Sequence, residues 1–125
     1  MAKSRLRFVP ALVWTIVILK LLLSESIGIP RFWWLDFPHS DKLIHFILFG
    51  VNAVLVIFAL DGSSKSLDKL RPIMFVLLWT IVLGAGTEIA QHLFLVTRTG
   101  NLLDLLADLA GGALPLLWIS LRKTT

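Results

Sequence analysis

Four long apolar segments, separated by shorter polar ones, dominate this chain of 125 residues. They cover residues 8–23, 43–60, 72–96 and 102–121. A helix needs about 20 mainly apolar residues, within a range of about 17–25, to cross the hydrocarbon of a bilayer. The segments are too long and too uniformly apolar for strands, which alternate or stay short. The sequence therefore predicts an all-α membrane protein with four transmembrane helices, forming a single domain over residues 1–125.

The composition supports a membrane protein over the other classes that a basic chain suggests. Hydrophobic residues make up 57% of the chain and charged residues 16%, with a net charge of +4. The basic residues flank the apolar segments, where they set topology and contact lipid headgroups. We therefore expect membrane lipids as partners and no nucleic acid. The chain has no cysteine, which excludes disulfides and thiolate metal sites.

The distribution of Lys and Arg predicts the orientation of the helices. If the N-terminus lies in the cytoplasm, eight Lys and Arg residues flank the spans on the cytoplasmic side: Lys3, Arg5, Arg7, Lys65, Lys69, Arg71, Arg122 and Lys123. Three lie on the outer side: Arg31, Lys42 and Arg98. Because positive charge is enriched in cytoplasmic loops, both termini are predicted to be cytoplasmic.

Polar side chains collect at one predicted face of the membrane, where the second span begins, the third ends and the fourth begins. Ionisable groups at membrane depth cost about 2.5–3.5 kcal/mol each on insertion scales and by default indicate function. The pairs Asp41/His45, Glu88/His92 and Asp104/Asp108 are each four residues apart, so each pair shares one helix face. The predicted ligand-binding residues are Asp41, Lys42, His45, Glu88, Gln91, Arg98, Asp104 and Asp108.

Three interpretations of this cluster stay open at the level of the residues. The polar groups can pair with one another and only fix helix packing. Lys42 and Arg98 can bind a phosphate or carboxylate headgroup. The third interpretation is an enzyme, with His45, Glu88 and Asp104 as candidate catalytic residues. The candidate metal ligands are His45, Glu88, His92, Asp104 and Asp108. No established catalytic motif is present, so whether the chain is an enzyme is left undecided.

The residues 41–46, Asp-Lys-Leu-Ile-His-Phe, followed by Phe49-Gly50, resemble the opening motif of the VanZ-like membrane proteins. Glu88, Gln91, Arg98, Asp104 and Gly111 continue the resemblance in order and spacing. It implies a small integral protein of the bacterial cytoplasmic membrane, in a family named for a member associated with low-level resistance to the glycopeptide teicoplanin. From the polar pocket we expect the protein to engage an anionic envelope lipid or lipid-linked cell-wall precursor, and in this way to lower susceptibility to teicoplanin. The alternatives are a metal-dependent enzyme acting on such lipids and a structural or assembly protein.

The chain departs from the VanZ-like pattern at one position, where Asp108 replaces the usual Asn. We expect this carboxyl group to pair with Arg98 or His45, to stay protonated, or to take part in cation binding.

Overall fold

The computed structural model describes residues 5–24, 33–35, 37–61, 70–96 and 100–121. The regular secondary structure within these ranges is helical, as predicted. Four α-helices begin and end within these ranges: α1 (Val9–Leu22), α2 (Ser40–Asp61), α3 (Leu70–Phe94) and α4 (Leu102–Leu121). A short 3-10 helix, Trp33–Leu35, lies between α1 and α2.

Three of these helices, α2, α3 and α4, are long and apolar enough to cross a membrane. Helix α1 is as apolar but has 14 residues, which corresponds to about 21 Å at 1.5 Å per residue. It is therefore shorter than the other three and shorter than the hydrocarbon core. Large apolar side chains such as Phe58, Leu78 and Val82 are exposed on the helix surfaces, as expected for side chains that face lipid. These are the features of an integral membrane protein.

The helix bounds differ from the predicted ones where polar residues extend an apolar segment. Helix α2 begins at Ser40, three residues before the predicted start at Leu43, because its first turn is built from Asp41 and Lys42. An acidic residue in the first turn of a helix interacts favourably with the helix dipole. Helix α3 begins at Leu70 and ends at Phe94, two residues before the predicted end at Val96. Hydropathy alone does not detect such turns.

Three glycines let the helices approach closely. Gly111 packs against the backbone carbonyl of Phe46, and Gly112 against the side chain of Thr80. Gly84 packs against Asp108. Gly86 differs, since nothing lies within 4 Å of the position that its Cβ would occupy. Helix α2 packs most extensively against α4, and the Gly111 contact accounts for their close approach.

A layer of hydrogen bonds crosses the interior between two apolar clusters and ties three helices together. The Asn52 side chain donates to Thr15 Oγ1 at 3.0 Å, and Trp79 Nε1 donates to Asn52 Oδ1 at 2.9 Å. These bonds connect α1, α2 and α3. Trp14 Nε1 donates to the Leu48 carbonyl at 2.9 Å. Buried polar groups in a bilayer need such partners, so this layer fixes how α1 packs.

Candidate functional site

The polar side chains meet at the end of the bundle where α2 and α4 begin and α3 ends. Helix α1 also ends here: its last residue, Leu22, accepts a hydrogen bond of 2.8 Å at its carbonyl from Gln91 Nε2. His45, Glu88, Gln91, Asp104 and Asp108 are all buried. The structure thus brings five of the predicted ligand-binding residues together, from three helices. We call these five residues, together with Asp41 and Lys42, the polar cluster.

Lys42 forms the outer part of the polar cluster. Its Nζ donates to Asp104 Oδ1 at 2.9 Å and to Asp41 Oδ2 at 3.1 Å. The side chain of Asp104 is 11% exposed and that of Asp41 is 55% exposed. Lys42 therefore connects the surface of the cluster to its interior, with Asp41 at the rim.

His45 and Asp108 form the innermost contact of the polar cluster. Nδ1 of His45 lies 2.8 Å from Oδ1 of Asp108, whose side chain is completely buried. A contact this short contains a hydrogen bond, which either His45 Nδ1–H donates to the carboxylate or a protonated Asp108 donates to Nδ1, depending on the tautomer. Of the roles expected for the unusual Asp108, pairing with His45 is the one that the structure contains. Space for this carboxyl group exists because residue 84, directly opposite, is a glycine.

Glu88 is held from one side only. Its Oε2 accepts a hydrogen bond of 2.7 Å from the backbone N–H of Asn101, while its Oε1 lies 3.9 Å from His45 Nδ1. Asn101 also caps α4, since its Oδ1 accepts from the N–H of Leu103. Gly100 packs against the Glu88 carbonyl, where a Cβ would collide with it. Sequence reasoning missed both Gly100 and Asn101; an Asn before an apolar helix was the available signal.

Two buried carboxylate oxygens, Glu88 Oε1 and Asp108 Oδ2, have no hydrogen-bond partner among the described residues. One ligand atom each of His45, Glu88 and Asp104 lie within 4.8 Å of one another. These three are the candidate catalytic residues, and the distances make them a candidate metal-binding group. The cluster also contains four carboxyl groups against one lysine and one histidine.

Two predicted residues are not part of this arrangement as described. His92 is exposed and lies outside the group of converging ligand atoms, although it occupies the last turn of α3. Arg98 lies outside the described residues.

An apolar groove of about 330 Å³ follows the α2–α4 interface. Its walls are formed by α2 from Phe46 to Leu55 and by α4 from Gly111 to Pro115. Gly50 and Gly111 form its floor: a Cβ on Gly50 would lie 3.3 Å from the Gly111 carbonyl oxygen. Pro115, four residues later, has no N–H to donate to this carbonyl. The groove begins at Phe46, one helical turn from Lys42 on the same face of α2.

The chain is similar to an uncharacterized protein of the fission yeast Schizosaccharomyces pombe. The two are 31% identical over 105 residues, which is 84% of this chain and 60% of the relative. This chain therefore spans about 60% of the length of that relative. No family model matches the chain, and no solved structure matches it.

Proposed function

We propose that the protein is a VanZ-like integral membrane protein that binds the headgroup of an envelope lipid in the polar cluster. In this proposal all four helices cross the bacterial cytoplasmic membrane, the short α1 with local thinning of the bilayer, and both termini lie in the cytoplasm with the polar cluster at the outer face. The observation that carries the proposal is that the apolar groove begins at Phe46, one helical turn along α2 from Lys42 of the polar cluster. A polar site beside an apolar groove matches an amphiphile with a headgroup and an acyl chain.

The charges of the polar cluster define the kind of headgroup that fits. Lys42 attracts a phosphate as a point charge, and Arg98 is the second basic residue expected there. The four carboxyl groups repel a bare anion but accept hydrogen bonds from hydroxyl groups. A headgroup that carries both a phosphate and hydroxyl donors satisfies both requirements. Phosphatidylglycerol and lipid-linked cell-wall precursors have this chemistry.

The groove accounts for the apolar part of the ligand. Val51 and Val54 line it and are 37% and 51% exposed, so an acyl chain reaches them from the bilayer. The two glycines in the floor leave space that a side chain would otherwise occupy. Chain burial adds affinity of about 0.8 kcal/mol per CH₂ relative to water but little relative to lipid. Selectivity therefore comes from the headgroup, and the groove sets the orientation of the lipid.

Native mass spectrometry of the protein after mild detergent extraction tests the proposal. We expect phosphatidylglycerol to be retained in preference to phosphatidylcholine, which has a phosphate but no hydroxyl donors. Val54→Trp should displace the lipid by filling the groove, and Lys42→Ala should weaken its retention. Val82→Trp on the exposed face of α3 and Lys20→Ala on α1 are the matched controls. Equal retention of both lipids, or equal effects of the controls, would refute headgroup binding in the cluster.

The VanZ-like resemblance extends this proposal to cell-wall precursors and teicoplanin. A protein that covers lipid-linked precursors at the outer face limits access of the drug to its targets. Bacteria that produce the protein should therefore bind less labelled teicoplanin than bacteria that produce the Lys42→Ala variant at the same level. Equal drug binding would remove the antibiotic part of the proposal while leaving lipid binding untouched.

A further inference from the structure

We propose that His45, Glu88 and Asp104 bind one divalent metal ion of the zinc class within the polar cluster. The proposal does not depend on lipid binding, because its ligands lie inside the bundle. One ligand atom from each residue already lies within 4.8 Å of the other two. Ligand atoms of a tetrahedral zinc ion, bound at about 2.0–2.2 Å, lie about 3.3–3.6 Å apart, so side-chain rotations that shorten the separations by about 1 Å bring all three onto one ion.

An unpartnered carboxylate oxygen points to a cation independently of this convergence. The side chain of Glu88 is 9% exposed, and its Oε1 has no hydrogen-bond partner among the described residues. Oδ2 of the completely buried Asp108 also has no hydrogen-bond partner among the described residues. Buried acceptors in native proteins are nearly always satisfied by protein, water or an ion. A metal ion beside Glu88 supplies the missing partner.

The charge of the site also favours a cation. Four carboxyl groups lie in the polar cluster. Among the described residues Lys42, already shared between Asp41 and Asp104, is the balancing cation, because a metal-bound His45 must be neutral. Uncompensated carboxylates at membrane depth are strongly unfavourable. A divalent ion offsets two of the remaining negative charges.

Each proposed ligand residue also makes a hydrogen bond to a residue outside the ligand group. His45 Nδ1 is hydrogen-bonded to Asp108, the Asn101 N–H donates to Glu88, and Lys42 donates to Asp104. Metal-binding histidines and carboxylates are commonly oriented in this way by neighbouring groups. Asp108 is accordingly a positioning residue for His45. The mixture of one imidazole with two carboxylates suits zinc or manganese better than magnesium, which avoids nitrogen ligands.

Metal analysis of the full chain in detergent, with any affinity tag removed, tests the site. After chelator treatment and dialysis against Zn²⁺, we expect about one zinc per chain for the wild-type protein. Zn²⁺ should also raise its Tm, because an ion that binds only the folded state stabilises it. Glu88→Gln keeps the acceptor for Asn101 but removes the charge, so it should lose both the zinc and the rise in Tm. Asp108→Asn should weaken zinc binding by about 10–100-fold.

His92→Ala is the matched control, because His92 is exposed on the same helix and lies outside the group. It should bind zinc as the wild-type protein does. Wild-type protein without stoichiometric zinc and without a rise in Tm would overturn the proposal, whether or not the variants fold. Zinc binding that survives Glu88→Gln, or that disappears with His92→Ala, would overturn it as well.

Discussion

Nδ1 of His45 and Oδ1 of Asp108 lie 2.8 Å apart, in a contact that buries both side chains between α2 and α4. The pair joins the two most extensively packed helices at the polar end of the bundle. Breaking a buried pair of this kind leaves one polar group without a partner. The contact is therefore both a structural connection and the inner boundary of the candidate site.

Asp108→Ala should destabilise the protein by about 3–5 kcal/mol, because it leaves the His45 ring buried without its partner. Asp41→Ala is the control, since the Asp41 side chain is 55% exposed and an exposed ion pair contributes about 0–1 kcal/mol. Unfolding of both variants in detergent, followed by circular dichroism, measures the difference. Equal stability of the two variants would contradict the buried His45–Asp108 pair.

Gly111→Ala should cost about 1–3 kcal/mol, because the new Cβ collides with the Phe46 carbonyl and forces α2 and α4 apart. Gly86→Ala is a matched change on α3. It meets nothing within 4 Å and should stabilise its helix by up to about 1 kcal/mol. The two variants therefore differ in sign. A stabilising Gly111→Ala change would show that α2 and α4 do not approach as closely as described.

Asn52→Ala should loosen α1 from the bundle, because it removes the bonds to both Thr15 and Trp79. Interhelical hydrogen bonds in membranes contribute about 0.6 kcal/mol on average and up to about 1–2 kcal/mol each. The expected loss is about 1–2 kcal/mol, with a shift in Trp fluorescence. The control is Val54→Ala, on the exposed face of α2, which should leave the stability and the Trp fluorescence nearly unchanged. An effect of Val54→Ala as large as that of Asn52→Ala would argue against this hydrogen-bonded layer.

Cysteine labelling tests the orientation proposed for the helices. The chain has no cysteine, so single substitutions can be labelled without background. A membrane-impermeant maleimide should label Ser40→Cys, at the polar end of α2, in intact cells. It should label Ser120→Cys, near the end of α4, only after the membrane is opened. The reverse pattern would invert the orientation and place the polar cluster in the cytoplasm.

The sequence predicted the helical class because four apolar segments have lengths and compositions that suit few other structures. It predicted the bounds of α1 to within one residue at each end, but this helix of 14 residues is shorter than the three helices long enough to cross a membrane. The predicted second span began at Leu43 because hydropathy excludes Asp41 and Lys42, although the spacing of Asp41 and His45 already placed Asp41 on the same helix. Helix ends depend on capping and on contacts with neighbouring helices, which a hydropathy pattern does not contain.

The members of the polar cluster were identifiable from spacing and topology, because costly ionisable residues at corresponding ends of neighbouring spans must meet. Their partners were not identifiable. The pairing of Asp108 with His45 depends on the space beside Gly84. Glu88 accepts a hydrogen bond from a backbone N–H, which a side-chain pattern does not reveal. Ligand binding by these residues stays a prediction.

Photo-cross-linking tests the central proposal, that the polar cluster and the α2–α4 groove bind one amphiphile. The protein is reconstituted with phosphatidylglycerol that carries a photoreactive group in one acyl chain, and the cross-linked peptides are identified by mass spectrometry. We expect cross-links concentrated on the groove segments of α2 and α4, reduced in Lys42→Ala and abolished in Val54→Trp. Cross-links spread evenly over the exposed faces of all helices, and unchanged in both variants, would contradict it.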